Sequence, residues 1–122
     1  MFDDSNLENF YRPITEDEII SVWKLFAADN SPGSDGWTPD FFLHFADSLV
    51  SIIAEMANEV RRHGLVSGAL NYTFFVLIPK KIGATSLSDY RPISLYNTLY
   101  KIISKTIVER IKEVLACYIS PE

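Results

Sequence analysis

Two short apolar segments separated by a small polar loop constrain this chain more than any other part of it. The first covers residues 74–81 and the second residues 90–95. Aromatic and β-branched residues at this density favour strands, and the segment between them is short enough to be a hairpin loop. Each strand carries a proline beside a cation at the loop end, Pro79-Lys80 in one and Arg91-Pro92 in the other. The sequence therefore predicts an antiparallel β-hairpin with fixed cations at its tip.

These cations suit phosphate recognition. A lysine ammonium is a compact point charge, an arginine guanidinium is a planar fork, and proline fixes the backbone that aims them. Lys80 and Arg91 are therefore candidates for holding the β and γ phosphates of a nucleotide, with Lys81 as a weaker candidate. Tyr90 is placed to face a nucleotide or a template base, or else to pack. The alternative for this group is an exposed hairpin tip with ordinary solvated cations.

Helices are predicted on both sides of the hairpin. Thr15 and Glu18 form a capping box that starts the first helix. Thr38, followed by Pro39, starts a second helix, whose apolar stripe continues through residue 60 before Gly64 ends it. A third helix follows the hairpin from about residue 97. The predicted fold class is α+β, with three main helices and a small antiparallel β-hairpin.

The loop over residues 31–36 is rich in turn formers. Gly33 and Gly36 flank Asp35 and allow backbone conformations in which N–H groups approach a phosphate closely. The alternative is a turn between helices in which the glycines serve geometry and Asp35 caps the next helix. The residues alone leave both interpretations open.

The charge is unevenly distributed along the chain. Residues 1–59 hold two basic and twelve acidic residues, a net charge of −10, whereas residues 60–112 hold nine basic and two acidic residues, a net charge of +7. The basic part coincides with the predicted hairpin and last helix, which fits a phosphate-facing surface. Solvated lysines on a helix are the alternative.

Four motifs in order resemble one known family. The hairpin segments, Leu-Ile-Pro-Lys and Arg-Pro-Ile-Ser-Leu, resemble the fingers of the reverse transcriptases of non-LTR (LINE-type) retrotransposons. Upstream, the loop at residues 31–36 resembles that family's Pro-Gly-x-Asp-Gly loop, and Phe41-Phe42 follows at the family's distance. Downstream, residues 100–105 and Arg110 resemble the helix after the Arg-Pro-Ile-Ser strand. The resemblance covers roughly residues 14 to 122.

The resemblance implies roles for particular residues. It implies that Lys80 and Arg91 bind the nucleotide triphosphate. It places the loop at residues 31–36 near the template strand. The candidates for template contact are Gly33, Asp35, Gly36, Lys81 and Tyr90. In domain terms, residues 1–13 are expected to form a disordered acidic N-terminus, and residues 14–122 a partial reverse transcriptase domain comprising the fingers and the entry to the palm.

The catalytic palm is expected to be absent. Two-metal nucleotidyl transfer needs converging carboxylates, which in reverse transcriptases come from the palm. Asp3-Asp4 imitates the paired carboxylates but lies at the wrong end of the chain. No catalytic residue, metal ligand or cofactor is therefore assigned, and Mg²⁺ is expected only in the intact enzyme. There the partners would be an RNA template, a DNA primer and dNTP, while this chain alone is predicted to be inactive.

Two other functions remain open. The chain is alternatively a non-catalytic module that binds RNA or an RNA–DNA hybrid, or a functionless retrotransposon relic. A fingers region without its palm would expose apolar surface, an expected route to self-association. Cys117 is interpreted as a buried helical thiol, and His44 and His63 lack partners at zinc-ligand spacing. Without a targeting signal or an apolar run of membrane-spanning length, the expected location is intracellular, in nucleus or cytoplasm, with no membrane partner.

Overall fold

The computed structural model describes residue 8 and residues 10–26, 32–116 and 118–119. Within these residues, four helices and two strands have defined bounds. They are α1 (Glu16–Phe26), α2 (Pro39–His44), α3 (Ala46–His63), β1 (Thr73–Pro79), β2 (Tyr90–Tyr96) and α4 (Thr98–Ala116). A 3-10 turn, Leu87–Asp89, leads into β2. The predicted α+β class is confirmed, with three long helices and an antiparallel hairpin.

The capping box at the start of α1 is present. The Thr15 backbone N–H donates to the Glu18 carboxylate at 2.8 Å, and the Glu18 N–H donates to the Thr15 hydroxyl at 3.4 Å. These bonds satisfy two of the donors that a helix start leaves without intrahelical partners. The first predicted helix is therefore confirmed.

The second predicted helix is interrupted. Thr38 and Pro39 start α2 as predicted, and Gly64 ends α3 in the left-handed conformation with φ 65°. Between them Phe45 leaves the helical region, with φ −106° and ψ 20°, so that one helix becomes two. The reason is tertiary packing: the interruption lets Phe42 bury against Trp23, with their ring centroids 5.8 Å apart.

The core lies between α1, α3 and α4. The most deeply buried apolar side chains come from all three helices: Ile19 and Trp23 from α1, Ile53 and Ala57 from α3, and Ile102 from α4. The hairpin lies outside this core, since every β1 residue after Thr73 is exposed. Helical packing therefore forms the scaffold from which the hairpin projects.

The two prolines fix the hydrogen-bonding pattern of the hairpin. In its register, Pro79 lies opposite Tyr90 and Pro92 lies opposite Leu77. Neither proline has an N–H to donate, and hydrogen-bonded pairs alternate along an antiparallel ladder. The ladder bonds therefore run through the intervening pairs, which are Phe74–Leu95, Val76–Ile93 and Ile78–Arg91.

One arginine ties the N-terminal segment to the helices. Arg110 on α4 is only 6% exposed and donates two hydrogen bonds, at 2.9 and 2.8 Å, to the carboxylate of Glu18. Its guanidinium also donates to the backbone carbonyls of Phe10, Arg12 and Pro13. The predicted disordered N-terminus, residues 1–13, falls mostly outside the described residues, as does Cys117.

Candidate nucleic-acid interface

Two lysines at the tip of the hairpin are engaged within the loop. The Lys80 ammonium donates to the carbonyl oxygen of Ser88 at 2.8 Å, and its backbone N–H donates to the carbonyl oxygen of Asp89 at 2.7 Å. The Lys81 ammonium pairs with the Asp89 carboxylate at 2.8 Å. Each ammonium has three donors, so both lysines retain the capacity to bind a phosphate oxygen.

Asp89 organises the loop from inside. Its carboxylate accepts hydrogen bonds from the backbone N–H groups of Thr85 and Ser86, in addition to the ammonium of Lys81. The hydrogen bond from Lys81 is the main reason that the pKa of Asp89 is lowered, and the two backbone bonds act in the same direction against the cost of desolvation. The Tyr90 hydroxyl donates to the carbonyl of Ala84 at 3.2 Å. The tip is therefore an internally bonded loop.

Arg91 differs from its neighbours at the tip. It lies opposite Ile78 on β1, and its side chain is exposed. Among the described residues its guanidinium has no hydrogen-bond or ion-pair partner. Because side chains alternate between faces along a strand, Lys80 continues the face that Ile78 and Arg91 share. The structure therefore places Lys80 and Arg91 on one face of the tip, whereas the sequence predicted only that they lie near the loop end of the hairpin.

The loop that carries Gly33, Asp35 and Gly36, here called the glycine loop, lies at the other end of β2. A side chain at Gly33 would place its first carbon 2.5 Å from the backbone of Tyr96 and of Asn97, so only glycine allows this approach. Gly36 has φ 76° and donates its N–H to the carbonyl of Gly33 at 3.1 Å. The Asp35 carboxylate accepts from the Trp37 N–H at 3.2 Å. These contacts give all three residues a local structural role.

Asn97 holds this loop in place, a role that the sequence did not reveal. It is 5% exposed, and its side-chain oxygen accepts from the Ser34 hydroxyl at 2.9 Å and from the Asp35 N–H at 3.3 Å. Its side-chain nitrogen donates to the carbonyl of Ala69 at 3.2 Å. The sequence signal at Asn97 was only that of a helix start, and its partners lie up to 63 residues away.

The seven candidate residues therefore form two clusters. Lys80, Lys81, Tyr90 and Arg91 lie at the tip of the hairpin, and the glycine loop lies beside its base. Tyr90 and Tyr96, at the two ends of β2, are six residues apart. At about 3.3 Å per residue, the two clusters are therefore separated by about 20 Å. A bound molecule that contacts both clusters must extend along the hairpin.

Most of the other cations in the basic half have partners within the chain. Arg110 is buried and structural. The exposed or half-exposed cations pair as follows: Arg61 donates to the carbonyl of Tyr11, Arg62 pairs with Glu59, and Lys105 and Lys112 pair with Glu109. The net charge of +7 therefore overstates the number of cations available to a phosphate chain.

The pKa of Glu18 records the strength of the Arg110 contact. Partial burial opposes ionisation of this carboxyl group. Hydrogen bonds from Arg110 and Thr15, together with the nearby charges of Arg110 and Arg12, outweigh that effect and lower the pKa from 4.5 to about 2. Glu18 is therefore a carboxylate at any physiological pH, and its role is structural.

Neither a membrane span nor a metal-binding cluster is present in the part of the chain that the structure describes. No helix there is long and apolar enough to cross a bilayer. No group of three or more His, Cys, Asp or Glu side chains there is placed to hold a metal ion.

Comparison with known proteins relates the chain to a transposon. It is 36% identical over 115 residues to the Transposon TX1 uncharacterized 149 kDa protein of Xenopus laevis. The match covers 94% of this chain but spans only 9% of that protein's length. No protein-family model matches the chain. Identity at this level over nearly the whole chain indicates common descent with a segment of a transposon protein.

Proposed function

We propose that the chain is the fingers region of a LINE-type reverse transcriptase, which grips the incoming nucleotide and the template. Arg91 and Lys80 bind the triphosphate of a dNTP, and the glycine loop, Lys81 and Tyr90 contact an RNA template. The relationship to a transposon protein supports the origin of the chain. The order of the four motifs supports the polymerase assignment.

The exposure of the Arg91 guanidinium is the observation that carries the proposal. An exposed guanidinium beside Pro92, with no partner among the described residues, retains all of its donors for a ligand. Guanidinium groups bind phosphate oxygens in pairs with defined geometry. Lys80 supplies a second cation on the same face, held by its bond to the Ser88 carbonyl. The internal bonding of the loop preorganises both groups.

Lys81 and Tyr90 have a different role in this proposal. Both side chains point into the loop, toward Asp89 and Ala84 respectively. They therefore shape the tip. In this proposal they contact the phosphate backbone of the template strand rather than its bases. Together with the glycine loop about 20 Å away, they would hold an extended strand along the hairpin.

DNA synthesis is expected to require carboxylates outside this region. The paired Asp3 and Asp4 lie outside the described residues. In a primer-extension assay with Mg²⁺ or Mn²⁺, the chain alone should give no product. Robust synthesis would show that the active site has been misplaced.

Binding to an RNA–DNA hybrid tests the proposal directly. Fluorescence anisotropy with a labelled hybrid should show binding at low salt that weakens as salt rises, because bound phosphates release counterions. Binding of a labelled dNTP, measured separately, should weaken in Arg91→Gln, because that guanidinium is assigned to the triphosphate. Hybrid binding should change less in this variant, because the template is assigned to the glycine loop, Lys81 and Tyr90.

Arg62→Gln is the matched control. It removes the same type of exposed cation from α3, where Arg62 already pairs with Glu59 at 2.7 Å. It should change binding little. Absence of dNTP binding by the wild type at low salt, or equal effects of the two substitutions on dNTP binding, would refute the role of Arg91. Hybrid binding without dNTP binding would favour the alternative of a non-catalytic binding module.

A further inference from the structure

The outer edge of β1 pairs with no other strand in the part of the chain that the structure describes. In the described part of the chain, the sheet has two strands, so β1 pairs with β2 on one side only. Large apolar side chains are exposed on both faces of β1, including Phe75 at 75% on one face and Phe74 at 47% on the other. An isolated two-stranded hairpin is marginally stable in water, and added strands are the usual remedy.

Of the two outer edges of the described hairpin, the one on β1 has a continuous set of hydrogen-bonding groups. Because the ladder to β2 runs through residues 74, 76 and 78, the main-chain groups of Thr73, Phe75 and Leu77 point outward. The outer edge of β2 is interrupted by Pro92, which has no N–H to donate. A further strand can therefore add to β1 over three alternate positions, whereas β2 resists extension.

The charge pattern of β1 is compatible with a second copy of the strand as the occupant of this edge. No charged side chain occurs between residues 64 and 79, so two β1 strands meet without like-charge repulsion. Aromatic and β-branched residues dominate β1, and within this strand no proline precedes Pro79. This composition favours pairing of identical segments. An acidic or basic partner would find no complementary charge on this edge.

We propose that β1 pairs antiparallel with β1 of a second copy across a two-fold axis at Phe75. In this register each Phe75 lies opposite its counterpart, and Thr73 of one copy lies opposite Leu77 of the other. The result is a four-stranded sheet in the order β2-β1-β1-β2. The two Phe75 rings form a cross-strand aromatic pair. The Pro92 edges lie on the outside, so the assembly ends at two copies.

Sedimentation equilibrium over a range of concentrations tests the dimer. The wild type should show a monomer–dimer equilibrium. Phe75→Lys places two ammonium groups opposite each other and should raise the dimer dissociation constant at least about tenfold. Ile82→Lys makes the same type of change at a fully exposed position of the loop tip, away from the edge, and should leave the dimer intact.

A mixing experiment tests the register. Phe75→Glu should also weaken the dimer, but an equal mixture of Phe75→Lys and Phe75→Glu should recover mixed dimers, because residue 75 faces itself across the axis. Circular dichroism checks that each variant keeps its helices. Three results would overturn the proposal: a wild type that stays monomeric, an unchanged dimer in Phe75→Lys, or open-ended species larger than a dimer. Failure of the mixture to recover dimers would overturn the register.

Discussion

At Glu18, burial and hydrogen bonding act in opposite directions on one carboxyl group. The hydrogen bonds dominate, and the pKa falls to about 2 in the folded state, compared with about 4.5 without these contacts. The folded state therefore binds a proton less readily than the unfolded state. This contribution to stability is complete above pH 4.5 and is lost as the pH falls toward 2.

Urea denaturation over a pH series measures this contribution. The wild type should lose about 1–2 kcal/mol of unfolding free energy between pH 4.5 and 2 through Glu18, allowing for screening of a side chain that remains partly exposed. Glu18→Gln should be less stable at neutral pH and show a flatter curve in this window. The control, Glu59→Gln on the exposed face of α3, should keep the wild-type slope. Parallel curves for the wild type and Glu18→Gln would contradict the assignment.

At Gly33 the fold requires a residue without a side chain. Gly33→Ala would place a carbon 2.5 Å from the backbone of Tyr96 and Asn97, and the loop must move to relieve the overlap. We expect a loss of about 1–3 kcal/mol, the usual cost of overpacking. Gly68→Ala is the control, because nothing lies within 4 Å of its added carbon. Chemical denaturation of both variants compares them, and equal stability would disprove the close approach.

Among the elements, the hairpin depends on its loop rather than on the core. Asp89 accepts two backbone N–H groups and the Lys81 ammonium within that loop. Asp89→Ala should therefore increase amide hydrogen exchange at Thr85 and Ser86 while leaving α4 protected. NMR-detected exchange measures this, with Leu87→Ala, at an exposed side chain of the same turn, as a control. Unchanged exchange at both amides would show that the loop holds its shape without the carboxylate.

Elements whose signals are local could be predicted from the sequence. The capping box at Thr15, the Thr38-Pro39 start and the Gly64 end act within one helical turn, so the residues that cause them are adjacent. The break at Phe45 could not be predicted, because it results from packing of α2 against Trp23 on another helix. Hairpin pairing was predictable from composition and the prolines, which also set its ladder.

In the candidate site, too, local features were predictable from the sequence and contacts made by the folded chain were not. The placement of Lys80 and Arg91 follows from the hairpin and was predictable. The bonds that hold Lys81 and Tyr90 inside the loop depend on its folded conformation, which composition does not determine. Asn97 and Arg110 were read as a helix start and a basic helix residue. Their buried roles depend on partners more than 60 residues away, which local patterns do not contain.

For the molecule as a whole, Arg110 is the residue that joins distant parts of the chain. Arg110→Met removes a buried guanidinium together with its hydrogen bonds to Glu18 and to three backbone carbonyls. We expect a loss of about 3–5 kcal/mol of unfolding free energy, as for other broken buried ion pairs. Arg110→Lys should rescue little, since an ammonium cannot reproduce the forked contacts.

Thermal and urea unfolding measure these variants. Lys112→Met, two residues further along α4 on its exposed side, is the matched control and should stay within about 0.5 kcal/mol of the wild type. If Arg110→Met were as stable as this control, the guanidinium would not join the segments energetically.

The long separation between Glu18 and Arg110 also bears on synthesis of the protein. The two residues are 92 positions apart, and ribosomes add about 5–20 residues per second, so the carboxylate precedes its partner by roughly 5 to 18 seconds. During that interval the nascent α1 has its capping box but not the guanidinium that completes the contact. Helix α1 therefore reaches its final packing only after Arg110 has been added to the growing chain.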